Sequence, residues 1–139
     1  MKLKPLLWIT LLSLALASCG GPREYTPASL DDDICKTIQR NARIQVSGVL
    51  KLPGVVLVVQ KQTRVLMVKD LSQDQPWLGL LIRHGTGNNR MEPLSEDYRR
   101  ADFVVKADDG REIGHGTPVT IYGRMEDTAN CNLAVERIE

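Results

Sequence analysis

The chain is 139 residues long, 42 % hydrophobic and 25 % charged, the balance of one soluble globular domain. Its formal charge is +1, and removing Lys2 and Lys4 of the leader leaves 16 basic residues against 17 acidic ones. That near-neutrality excludes a strong electrostatic pull on nucleic acid or on anionic lipid head groups. With a single Phe and 4 % aromatic residues, the core has to be built mainly from Val, Leu and Ile.

The first element is a leader. Lys2 and Lys4 give a positive start, Leu6 to Leu16 is an almost purely apolar run, and Ala17 and Ser18 are small. The run is too short for a comfortable membrane span, and the three-part pattern is that of a secretory signal peptide over residues 1–18. Its end, Leu16-Ala17-Ser18-Cys19, resembles the lipobox of bacterial lipoproteins. The resemblance implies cleavage before Cys19, diacylglycerol on its thiol and acylation of the new amino terminus. Each buried methylene contributes about 0.8 kcal/mol, so several acyl chains anchor a protein where one does not. In that family an Asp after the cysteine favours the inner membrane. Gly20 therefore implies the outer membrane, with the protein facing the periplasm.

Residues 19–33 are expected to form the lipidated N-terminus and a flexible tether. "GGPREYTPASLDDD" carries two Gly, two Pro and no apolar period. Asp31–Asp33 invites a metal reading, but successive side chains of an extended run point to opposite sides. A solvated acidic stretch, or a helix N-terminus before "ICKTIQRN", is the simpler account.

Residues 34–139 are expected to be a mainly β domain. "RIQVSGVLKL" alternates, with Ile44, Val46, Gly48 and Leu50 on one side. Pro53-Gly54 signals a turn, Val55–Val59 is β-branched in character, and Gln60–Thr63 is a polar break. Arg64–Asp70 reads as a strand with Leu66 and Val68 inward and Val65, Met67 and Lys69 outward. Trp77–Gly85 is a near-continuous apolar run, which suits a central strand. "LSEDYRRAD" reads as a short helix capped by Ser95, with Glu96 and Asp97 in its first turn. "FVVKADDGREIG" is compatible with a hairpin about Asp109-Gly110. "TPVTIYGRM" and "CNLAVERIE" supply two more alternating strands.

The order is three strands, a short helix and two strands. It resembles the OB-fold, a five-stranded Greek-key barrel. The resemblance covers about Ala42 to Glu139. It rests on "RIQVSGVLK" with its central Gly, on "VLMVKDL", and on "GTPVTIYGRM" followed by "NLAVERIE". The segment from Phe103 to Gly114 departs from it, and another small β-barrel or sandwich is the alternative.

If Cys19 carries lipid, Cys35 and Cys131 remain as an even pair in an exported domain, where disulfides persist. Metal ligation and redox catalysis are disfavoured, since there is no Cys-x-x-Cys and neither His lies at ligand spacing from a Cys.

His84 and His115 each sit beside Gly at a strand end or turn, and no spacing supplies either with a catalytic partner. "HGTGNNR" lacks the Gly-Lys-Ser/Thr end of a phosphate loop. "GHGTPV" lacks the setting of a catalytic serine. Glu92, Glu96, Asp97, Asp108 and Asp109 fall in polar stretches where solvated surface is the default. The reading is therefore a non-enzyme without cofactor or metal. An OB-fold resemblance implies binding, usually on strands two and three. Met67 and Trp77 are the candidate docking residues, for an envelope protein or a glycan. The alternatives are a periplasmic binder of a small molecule or metal ion through His84, His115 or loop carboxylates, and an accessory lipoprotein of a secretion or conjugation machine.

Overall fold

The computed structural model describes residues 24–139. The signal peptide, Cys19 and Gly20 lie outside the described residues. In chain order come β1 (Thr26–Pro27), α1 (Ile34–Thr37), β2 (Arg43–Lys51), β3 (Leu57–Val59) and β4 (Gln62–Val68). They are followed by β5 (Trp77–Arg83), β6 (Arg90–Met91), a 3-10 turn (Arg100–Asp102), β7 (Val105–Lys106) and β8 (Glu112–Ile113). The chain closes with β9 (Pro118–Asp127) and β10 (Asn132–Ile138).

Five strands close a barrel. β2 pairs with β9, β9 with β10, β10 with β5, β5 with β4, and β4 returns to β2. All of these pairs are antiparallel except β10–β5, which is parallel. This is the Greek-key order and closure of an OB-fold barrel. Closure removes the open edges of these five strands and turns one face of each inward. Val46, Leu50, Val65, Met67, Leu78, Leu80, Ile82, Ile121, Met125 and Leu133 make up much of that interior.

Two glycines make the closure possible. A Cβ on Gly48 would stand 2.6 Å from Met67 Cγ and 2.9 Å from the Val68 carbonyl oxygen. The missing side chain lets β2 and β4 approach and leaves interior volume for Met67. Gly123 does the same beneath the Ala134 carbonyl and the Leu133 side chain, where β9 and β10 cross a register irregularity.

The face assignment in β4 is the reverse of the alternation expected. Val65 and Met67 are buried in the core, and Leu66 faces outward. Register decides this: Leu50 pairs with Met67 and Met67 with Leu78, and both neighbours are core residues. Val68 shares the outer row with Trp77 and is buried there, outside the main core cluster. The expected polar break at Gln60–Thr63 is a tight turn at Gln60-Lys61, with Gln62 and Thr63 already in β4.

The folded domain begins earlier than residue 34. β1 pairs in parallel with the start of β2, Thr26 opposite Ile44, and Leu30 is buried with the core. The strap is held by aromatic contacts. The Tyr25 ring meets Tyr122 edge-on at 5.2 Å, and the Arg137 guanidinium stacks on Tyr122 at 3.9 Å. Composition suggested a tether through Asp33, but the pairing of β1, the Tyr25 contact and the burial of Leu30 together dock the segment.

The short α-helix is α1, with Asp33 at its N-cap position. The expected helix at "LSEDYRRAD" is a turn followed by the 3-10 turn, whose N-cap residue, Arg99, donates its amide to Asp102 Oδ2 at 2.8 Å. Leu94 and Tyr98 are its only partly buried positions, too little apolar surface to hold a longer helix. Beyond it β7 and β8 form the hairpin about Asp109-Gly110, with Gly110 at φ 84°. β6 adds to it, giving a separate three-stranded sheet.

Candidate functional site

The face of β4 and β5 turned away from the core forms a surface of defined geometry. Cross-strand pairing puts Leu57, Arg64 and Leu81 in one row, Leu66 and Gly79 in the next, and Val68 and Trp77 in a third. The Arg64 guanidinium lies over the Trp77 ring, 5.0 Å from its centroid. Arg64 Nε donates to Asn132 Oδ1 at 2.7 Å. Both side chains lie across Gly79, where an added Cβ would run into Asn132 Oδ1 and come within 2.9 Å of Arg64 Nε.

Asn132 reaches this place because of the β9–β10 turn. Asp127 Oδ1 accepts the Ala129 and Asn130 amides, and the Asn130 side chain donates to the other carboxylate oxygen. The Asn130 side-chain bond, foremost among these, holds the Asp127 carboxyl below the usual carboxylate range. Cys131 then takes φ 55°, a left-handed conformation unusual for a residue with a side chain. Its disulfide to Cys35 fixes the turn to α1 with a Cα–Cα distance of 5.4 Å. The Cys131 carbonyl accepts the Gly79 amide at 2.8 Å. One turn therefore carries the disulfide, seats Asn132 and orients Arg64.

The residues singled out by sequence separate into three groups. Cys35 and Cys131 are bonded, and Trp77 is half-buried on the outer face. Met67 is removed as a docking residue, since it is fully buried and lies under Gly48. The two histidines serve the framework. His84 Nε2 and Thr63 Oγ1 are 2.7 Å apart, which satisfies a fully buried hydroxyl. His115 Nδ1 accepts the Leu52 amide at 3.0 Å, and burial, then Arg100 and Lys51, push its pKa below the ordinary value.

The flagged carboxylates do not converge. Glu92, Glu96, Asp97, Asp108 and Asp109 are all exposed. Asp108 accepts from Asn89 at 2.9 Å, and Asp109 caps the Arg111 amide at 2.9 Å. Asp31 accepts the Asp33 amide at 3.0 Å, a local turn bond. Among the described residues no group of three His, Cys, Asp or Glu is placed to hold a metal ion. None of the described helices is long and apolar enough to cross a membrane.

Two features escaped sequence reasoning. Arg64 and Asn132 are separated by 68 residues, so no local pattern joins them. The second is the apolar arm before β4. Val55, Leu57, Val58 and Val59 are 76, 49, 59 and 52 % exposed. The run "VVLVV" read as β-branched in character, and nothing in it showed that Leu57–Val59 would form a strand beyond the barrel. No protein-family model matches the chain, and no curated protein matches it.

Proposed function

We propose that this is a lipid-anchored protein of the bacterial cell envelope whose barrel is a non-catalytic binding or assembly module. The barrel contacts an envelope protein or glycan through the outer face of β4 and β5. The observation that carries this reading is Trp77 held half-exposed under Arg64, with Arg64 itself fixed by Asn132. A rigid Trp–Arg pair is the residue chemistry that interface hot spots favour, and its preorganisation lowers the entropy lost on binding. The address rests on the resemblance of Leu16–Cys19 to a lipobox, which implies acylation of Cys19, and on Gly20, which favours the outer membrane.

Two experiments test the two halves. A photo-crosslinking residue at position 77, in whole cells, is expected to capture one discrete partner, and Arg64→Glu to reduce that capture at least tenfold. A background pattern unchanged by Arg64→Glu sinks the binding role. Cys19→Ala is expected to move the protein from the membrane fraction to the soluble one, and persistence in the membrane sinks the anchor.

A further inference from the structure

We infer that the apolar arm ending in β3 is a docking edge for an extended, acidic polypeptide segment, which adds as a strand beside β3. This deepens the binding role proposed above and rests on it. Among the described residues β3 is the terminal strand of its sheet, paired with β4 alone. The hairpin closes with Val59 opposite Gln62 across a two-residue turn. In such a turn the closing pair exchanges both of its hydrogen bonds, and the next pair does not. The Val58 amide and carbonyl therefore point to the open edge, and those of Leu57 and Val59 to β4.

Folding does not explain this arm. Its Val and Leu side chains remain largely exposed, and an exposed apolar edge is a feature that folded proteins ordinarily suppress. The turn is made by Gln60 and Lys61 at φ 49° and 60°, where Asn-Gly is the usual solution. Both residues therefore sit in the left-handed region that side chains with a Cβ seldom adopt.

Charge selects the partner. From Ile34 to Lys69 the chain has seven Lys or Arg and not one Asp or Glu. Lys36, Arg43 and Lys51 are paired with carboxylates. Among the described residues, no ion pair engages Lys61, Arg64 or Arg83. Arg64 shares the row of Leu57, and Arg83 that of Val59 and Gln62. A segment with apolar residues against Leu57 and Val59 and acidic residues toward Lys61, at the tip of a stretch without carboxylates, complements both patterns.

Two other occupants fit less well. A bilayer would leave the Val58 backbone groups unbonded in hydrocarbon, an arrangement that membrane-embedded backbone avoids. The lipid anchor is also at the wrong end: Thr26 pairs at the start of β2, and the arm leaves from its end at Lys51. Seven strand residues separate Ile44 from Lys51, roughly 23 Å at strand rise. The five residues from Cys19 to Glu24 span at most about 18 Å. A second copy would set two basic arms together over a three-residue strand, far less contact than a stable dimer needs.

The test uses the full protein in nanodiscs of phosphatidylethanolamine and phosphatidylglycerol. The probes are a decapeptide of alternating Val and Glu and its Val–Lys counterpart. The Val–Glu peptide is expected to bind saturably and slow hydrogen exchange at Val58. Val58→Pro removes the outward amide and spares the bonds to β4, so binding should weaken about tenfold. Leu57→Ser, which keeps every backbone group, should weaken it less. Equal binding of the Val–Lys peptide, or no effect of Val58→Pro, overturns the inference. Protection of Val58 by the nanodisc alone identifies a bilayer and overturns it. Protection that rises with protein concentration alone identifies a second copy and does the same. Crosslinking from position 77 reads the wider binding role separately: a partner captured there and indifferent to Val58→Pro leaves that role standing and removes the edge.

Discussion

The β3–β4 and β9–β10 hairpins are made of similar residues and reach opposite ends. In β9, Val119, Ile121, Gly123 and Met125 turn inward and alternate with partly exposed residues. β10 continues the pattern, and its turn is tied to α1 by the disulfide. β3 presents three exposed apolar residues in succession. The difference is one of position rather than propensity. A β-branched residue stabilises a strand when another surface covers it, and β3 extends past the place where the barrel supplies one. Apolar residues in β9–β10 are therefore consumed by folding, and those in β3 are left for another use.

The largest expected effect breaks the β9–β10 side. Replacing Cys35 and Cys131 together by Ser opens a link spanning 96 residues, and denaturant unfolding should show a loss of about 4–5 kcal/mol. A loss below about 1 kcal/mol would show that pairing alone secures this hairpin. Next, Met67→Ala should cost about 2–5 kcal/mol because the barrel cannot close around the space left behind. Val58→Ser should change stability by no more than about 0.5 kcal/mol. Comparable losses in the two would erase the contrast between a strand used by the core and one that is not.

Gly48→Ala sharpens the role of close approach. The new Cβ meets both the Met67 side chain and the Val68 backbone, and a cost of about 1–3 kcal/mol is expected. Combined with Met67→Ala the loss should fall short of the sum, since the side-chain clash is gone. An additive result would put the strain on the Val68 carbonyl alone. The smallest effect is at His115. Its folded pKa is lowered, chiefly by burial, so near its ordinary value the unfolded chain binds the proton more readily. Stability should then rise with pH through the range just below pH 6.5 and be lost as pH falls, with part of the slope removed by His115→Gln. An unchanged slope would show that groups other than His115 carry the pH dependence, since a protonated Nδ1 cannot accept the Leu52 amide.

Much of the fold was legible because its signals are local. Gly48 within an alternating strand, the Asp109-Gly110 turn and the alternation of Val119, Ile121 and Gly123 all lie within short windows, and they yield the strand order of the barrel. Trp77 at the head of β5 was legible for the same reason. Met67 was not. Val65, Leu66, Met67 and Val68 are all apolar, so a period of two has no phase there, and only the partner strand supplies one. Leu30 was hidden by its Pro, Ser and Asp neighbours. The helix expected at Ser95 had caps and charges in order, but no apolar stripe to bury.

By itself, then, the sequence determined the strand succession, the even pair of cysteines in the folded part and the Trp at the start of β5. These follow from turn residues, alternation and counting, which act over a few residues or need no geometry. Tertiary structure decided which face of β4 turned inward, where the domain begins and how Arg64 comes to lie over Trp77 across Gly79. It also decided that, among the described residues, β3 would stand uncovered with one edge unpaired. Each of those depends on the register between strands far apart in the chain, and register is set by the closing of the barrel as a whole.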